Sequence, residues 1–152
     1  MPFPSLAQYP FQPRYFEVDG HRLAYLDQGQ GLPVVMVHGN PSWSYLYRNL
    51  VVHLQDRYRC IVPDHLGCGF SDKPQDYPYR LANHLDNLER LLDRLAIKRC
   101  VLVVHDWGGA IGMGWAGRHA DRVAGVVVLN TAAFRSSRIP LRIAVCRWPI
   151  LG

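Results

Sequence analysis

Two kinds of apolar pattern alternate along the chain, and their order predicts its architecture. Arg14 to Asp19 and Arg22 to Gln28 are short extended runs separated by Asp19-Gly20, a dipeptide suited to the positive-φ turn of a two-residue hairpin. Pro33-Val34-Val35-Met36-Val37 is an unbroken apolar run, as a parallel strand covered on both faces requires. Ser42 to Leu54 reads as a helix with Leu46, Leu50 and Leu54 four residues apart. Arg59-Cys60-Ile61-Val62 predicts the next strand, ending in Pro63-Asp64 and the glycine-rich turn Gly67-Cys68-Gly69. Tyr79 to Leu95 is the most regular helix, with Leu81, Leu85, Leu88, Leu92 and Leu95 on one face. Cys100 to Val104 predicts a buried strand, Trp107 to about His119 a helix, and Arg122 to Leu129 one more strand.

A hairpin followed by alternating strands and helices predicts an α/β fold. The sheet should be doubly wound and mostly parallel, with an N-terminal antiparallel hairpin and helices on both faces. Ligands in such sheets bind outside the carboxyl ends of the strands. Three segments fall there: His38 to Pro41, Asp64 to Ser71, and His105 to Gly109. No internal repeat or low-complexity linker interrupts this order.

Composition narrows the picture. With 152 residues, 49% of them apolar, the chain can bury one domain's core, which excludes a disordered or coiled-coil protein. Met1-Pro2-Phe3-Pro4-Ser5 lacks the basic and apolar regions of a secretory signal, and no apolar run approaches the length of a membrane span. Cys60, Cys68, Cys100 and Cys146 lie far apart without metal-site spacing, as free thiols of a reducing compartment do. The expectation is a cytoplasmic protein with no membrane span. The net charge of +5 is unevenly placed: 12 basic and 12 acidic residues balance up to Asp121, and only arginines follow. No basic surface interleaved with aromatics runs along the domain, so no nucleic-acid partner is expected.

The chemistry concentrates at Asp106, in His105-Asp106-Trp107-Gly108-Gly109. A sharp strand-to-helix turn needs small residues after the residue it presents, and Gly108 and Gly109 supply them. The competing role for Asp106 is helix N-cap, a common one for aspartate. A carboxylate of ordinary acidity, near ~4, is already ionised at pH 7 and needs no base to attack. Its attack on a carbonyl would give a reactive anhydride. Attack on an sp³ carbon gives an ester, which water can hydrolyse. A nucleophilic Asp106 therefore points to alkyl halides, epoxides or strained lactones, all small apolar substrates.

Together, His38-Gly39-Asn40-Pro41, the run from Pro63 to Pro74, and His105 to Gly109 resemble the haloalkane dehalogenase group of α/β-hydrolases. The resemblance implies that Asp106 displaces the halide, while the Asn40 amide and the Trp107 indole N–H hold the departing anion. His38, Gly39, Pro41, His105, Gly108 and Gly109 would support these loops, with His38 and His105 bracing by hydrogen bonds. Residues 1–134 would form the N-terminal part of the core domain and 135–152 the start of a helical cap. The run Leu129 to Arg135, followed by Ile139-Pro140-Leu141-Arg142, is similar to a branch that decarboxylates β-lactones in olefin biosynthesis. Halide displacement and β-lactone decarboxylation both stay open. Epoxide hydrolysis is the alternative within enzymes, although epoxide hydrolases usually carry an apolar residue where Asn40 stands. A non-catalytic binding module is the alternative outside them.

Other features receive plainer roles. Gly112 to Gly117 matches GxGxxG but starts inside a helix, so no dinucleotide cofactor is expected. His21, His53, His84 and His119 are scattered, as surface or capping residues are, and no metal site is expected. After Asp106 the remaining acid and imidazole are Asp121 and His119, roughly 18 Å away along the helix. They are expected to end that helix rather than to serve Asp106, and Asn130 stands where some relatives place an acid. The expectation is a fragment or truncated product that can form an ester at Asp106 but cannot hydrolyse it.

Overall fold

A computed structural model describes residues 8–132. Six strands form one sheet: β1 (Arg14–Val18), β2 (His21–Gln28), β3 (Leu32–Val37), β4 (Tyr58–Pro63), β5 (Cys100–His105) and β6 (Val123–Leu129), in the order β1-β2-β4-β3-β5-β6. β1 pairs antiparallel with β2, and β2 antiparallel with β4. The β4–β3, β3–β5 and β5–β6 pairs are all parallel. This is the mostly parallel α/β sheet with an N-terminal hairpin that the sequence predicts. Asp19 and Gly20 both take positive φ, 50° and 79°, as a two-residue hairpin of this twist requires.

Side chains two apart on one strand share a face, and β3 and β5 divide accordingly. Val35, Val37, Leu102 and Val104 pack with Leu88 and Leu92 of α2 (Leu81–Arg94) and with Ile111 and Trp115 of α3 (Trp107–Arg118). Val34, Met36 and Val103 pack on the opposite face with Tyr47 and with Val51 of α1 (Arg48–Leu54). Both faces of the strands are therefore covered, which is why their sequences read as unbroken apolar runs. Tyr9 and Phe11 seal the α1 side. Within α3, a Cβ on Gly112 would press on Val104 and one on Gly114 on Leu85. The glycines of the GxGxxG string thus let this helix lie close to the sheet and to α2.

Two details depart from the sequence expectation. The segment before α1, Ser44–Tyr47, is a 3-10 turn. The face turned to the sheet still repeats every four residues, but it is the one bearing Tyr47 and Val51, one residue on from Leu46 and Leu50. Leu46 and Leu50 stay 42% and 37% exposed, while Tyr47 and Val51 are buried and Leu54 partly so. Likewise α2 begins at Leu81 rather than Tyr79, because Tyr79 sits at φ 46°, outside the right-handed helical region. Leu85, Leu88 and Leu92 face the core as expected, but Leu81 is exposed.

Among the described residues no helix is long and apolar enough to cross a membrane, and Cys60, Cys68 and Cys100 are free thiols. The segment 135–152, expected to begin a cap, and Cys146 lie outside the described residues.

The shifted face of α1 can be measured. Val51→Ala should lower unfolding stability by about 1–3 kcal/mol. Leu50→Ala should stay within about 0.5 kcal/mol of the parent. Urea unfolding followed by circular dichroism distinguishes this order from its reverse, which the leucine stripe would have predicted.

Candidate active site

At the carboxyl end of β5 the backbone turns into α3 through Asp106, whose φ of 52° and ψ of −128° few residues other than glycine adopt. Such a conformation costs on the order of 1–3 kcal/mol and persists where the surroundings over-determine it. The Asp106 carbonyl accepts from the Gly109 N–H at 3.0 Å and from the Thr131 hydroxyl. Gly108 lies where a Cβ would collide with the carbonyls of Val37 and His38, and a Cβ on Gly109 would collide with Thr131. These are the glycines the elbow pattern requires. Asp106 does stand at the N-cap position of α3, but its side chain makes no cap hydrogen bond. Instead its half-buried carboxylate accepts the Asn40 backbone N–H at 2.9 Å through Oδ1.

The loop after β3 approaches so closely that a Cβ on Gly39 would strike the Asp106 carboxylate and the Trp107 nitrogen. The Ser42 N–H closes this loop on the Gly39 carbonyl at 3.0 Å. Pro41 is exposed and follows a cis peptide. His38 is fully buried; its Nδ1 donates to the Gly39 carbonyl at 2.9 Å and its Nε2 accepts the His65 N–H at 3.1 Å. The His65 Nε2 donates in turn to the His38 carbonyl at 3.1 Å, and the two rings lie 4.4 Å apart. Burial pushes His38 down to about 4, against the opposing pull of its bond to Gly39, and pushes His65 well below the ordinary imidazole value. Two neutral imidazoles thus lock the loop after β3 to the loop after β4. His105 makes no matching bond: its Nδ1 is buried without a partner among the described residues. Among the described residues, bonds of the kind expected of both histidines form at His38.

The sequence places Asp64 in a candidate loop but does not single it out as that loop's anchor. Asp64 is buried and accepts the Ser44 N–H at 2.7 Å and the Phe70 N–H at 2.9 Å. Gly69, at φ 50°, leaves no room for a Cβ beside this carboxylate. Ser71 completes the brace, donating to the Asp64 carbonyl at 2.6 Å and accepting the Ala24 N–H at 2.8 Å. Burial raises Asp64 above the usual carboxylate range, and the two backbone donors oppose that shift. The one local mark of this role is an acid directly before a glycine-rich turn, a spacing that a carboxylate capping loop amides needs.

A pocket of about 440 Å³ opens over these loops. Asn40 and Trp107 line it, together with Cys68, Tyr79, Leu81 and His84. The Trp107 side chain is among the most exposed large apolar groups, at 53%. The Cys68 thiol donates to Asn40 Oδ1 at 3.8 Å. His84 is not a surface residue as expected: it is half-buried on the pocket wall, 5.3 Å from the His65 ring, because its position in the first turn of α2 points it inward. His119 and Asp121 do lie at the far end of α3, where His119 Nε2 is 3.0 Å from Glu89 Oε1. Among the described residues no group of three or more His, Cys, Asp or Glu side chains is arranged to hold a metal ion.

The family described as alpha/beta hydrolase fold matches residues 33–145. The cis-3-alkyl-4-alkyloxetan-2-one decarboxylase of Shewanella oneidensis is 54% identical over 149 residues, covering 94% of this chain and 47% of that protein. Haloalkane dehalogenase 2 of Mycobacterium tuberculosis is 44% identical over 130 residues, covering 86% of this chain and 45% of that protein. The structure of the tetrameric haloalkane dehalogenase DpaA from Paraglaciecola agarilytica superposes with a TM-score of 0.88 at 33% identity, over 93% of this chain and 50% of that one. The chain spans about half the length of the curated relatives it matches.

The buried histidine pair makes stability depend on pH in a defined direction. The folded values of His38 and His65 lie below the unfolded one, so their contribution is present above about pH 6.5 and is lost as pH falls toward 4. His38 alone accounts for about 3 kcal/mol across that range. Below about pH 6.5 unfolding should therefore take up protons at both histidines. The slope of urea-unfolding free energy against pH between 6.5 and 5 checks this; a flat profile would contradict it.

Proposed function

The chain belongs to the α/β-hydrolase fold family, and on that footing we propose that Asp106 is its nucleophile, attacking an sp³ carbon to form an ester. One observation carries this reading. Asp106 is held at the carboxyl end of β5 in a costly backbone conformation, with its carboxylate turned away from the helix and onto the loop that bears Asn40. An aspartate serving as a cap would use its side chain on α3 and would need no such conformation.

With an alkyl halide, an Asp106 carboxylate oxygen bonds to carbon while the halide leaves with the carbon–halogen electron pair. The Asn40 Nδ2–H and Trp107 Nε1–H donors, from two residues that line the pocket, receive the anion. With a β-lactone, the same attack at the ring carbon bearing the alkoxy oxygen releases the ring oxygen as a carboxylate. Loss of carbon dioxide then returns its electron pair to form the alkene and expels the Asp106 carboxylate. Water regenerates the nucleophile in the first case and is not required in the second. The 54% identity to a named β-lactone decarboxylase, against 44% to a named dehalogenase, favours the second substrate class. Epoxide opening would need a donor to the ring oxygen. The tyrosine in the described pocket, Tyr79, already donates its hydroxyl to the Pro74 carbonyl at 2.8 Å.

Incubation with 1-bromohexane should add one hexyl group, seen by intact mass, and Asp106→Ala should abolish it. Asn40→Ala should slow adduct formation at least tenfold, as loss of a positioned anion donor does. A folded chain that stays unmodified, or an adduct of equal yield in Asp106→Ala, would overturn the assignment. With a cis-3,4-dialkyl β-lactone in ¹⁸O-water, the alkene should form without ¹⁸O entering Asp106.

A further inference from the structure

A primary amide can serve an anion only by its nitrogen end, because its oxygen end repels negative charge. The two ends are nearly isosteric, so something must fix which one faces the pocket. The backbone of Asn40 is already fixed, its N–H on Asp106 Oδ1 and its loop closed by Ser42 on Gly39. Only the side-chain torsions remain, and among the described residues the one partner of that side chain is Cys68, whose thiol lies 3.8 Å from Oδ1.

Cys68 is itself rigidly placed. It sits between Gly67 at φ 91° and Gly69 at φ 50°. A Cβ at Gly67 would meet the Tyr79 ring at 2.7 Å, and one at Gly69 the Asp64 carboxylate. The Cys68 N–H donates to the His65 carbonyl at 2.9 Å, and its carbonyl accepts the Ser71 N–H at 3.1 Å. The half-buried thiol is pushed above the usual thiol range by burial and by the nearby Asp64, with Lys73 opposing. It therefore remains an S–H donor at neutral pH. A thiolate there would accept from Nδ2 and turn the amide around.

We propose that Cys68 is a positioning residue for Asn40: its S–H holds Oδ1, so that the two Nδ2 donors are committed to an anion in the pocket. This rests on the anion-site reading of Asn40 and Trp107 given above, and it assigns a function to a loop residue that touches no reacting atom.

The test is a sodium bromide titration of the ¹⁵N-labelled chain at constant ionic strength, following the Asn40 side-chain amide and the Trp107 indole N–H resonances. The parent should show saturable shifts of both. Cys68→Ala should weaken the apparent bromide affinity roughly two- to tenfold, the range for loss of one neutral hydrogen bond. It should also move the Asn40 amide pair in the absence of bromide. Cys68→Ser, which keeps a donor, should recover most of the affinity. Parent-like affinity in Cys68→Ala overturns the positioning role and leaves the anion site standing. Equal weakening in both variants also overturns it, since that pattern marks loss of packing. Absence of a saturable shift in the parent overturns the anion site itself, and the role of Cys68 with it.

Discussion

Everything at the candidate site depends on holding one non-glycine residue, Asp106, at φ 52° and ψ −128°. That conformation alone costs on the order of 1–3 kcal/mol, so the surrounding chain has to make every alternative worse. Its carbonyl is taken by Gly109 and Thr131, and the sheet holds the chain up to the residue before it through the His105–Leu129 pairing of β5 with β6. Gly108 and Gly39 remove the two side chains that would otherwise force α3 and the loop after β3 apart. The result is a carboxylate set at the end of a parallel strand, bonded to the loop that bears Asn40 rather than to its own helix.

A second tier of buried polar groups keeps the two neighbouring loops in register with that carboxylate. His38 and His65 exchange bonds as neutral rings, which removes the need to bury charge. Asp64 is more costly, because burial opposes its ionisation, and it is offset by two backbone donors at 2.7 and 2.9 Å. Such fully bonded buried groups specify one arrangement, since any shift leaves a polar atom without a partner. Asn40 inherits its position from the first brace, and Cys68 from the glycine turn around Asp64.

The sequence made the sheet legible because strands buried on two faces leave unbroken apolar runs and the hairpin carries Asp19-Gly20. It misjudged α1, since Tyr47 and Val51 share the leucines' spacing of four, and spacing alone does not say which set faces the sheet. The candidate site was legible where chemistry dictates residue type: an acid before two glycines, and a loop bearing Asn40. It was not legible where the role depends on contacts distant in sequence. Nothing local tells that Asp64 reaches Ser44, that Thr131 reaches Asp106, or that the first turn of α2 swings His84 into the pocket. Those contacts exist only once β3, β4 and β5 lie side by side.

The central claim is that Asp106, next to Trp107 at the edge of a pocket lined by other reactive groups, is the atom donor to carbon. Cys68 and His84 line the same pocket and could also be alkylated, so the position of the new bond is decisive. Fragmentation mass spectrometry of peptides from the bromohexane-treated chain locates it. The account predicts a hexyl ester on Asp106, with Cys68 and His84 unmodified. A hexyl group carried by Cys68 or His84, with Asp106 free, would contradict it.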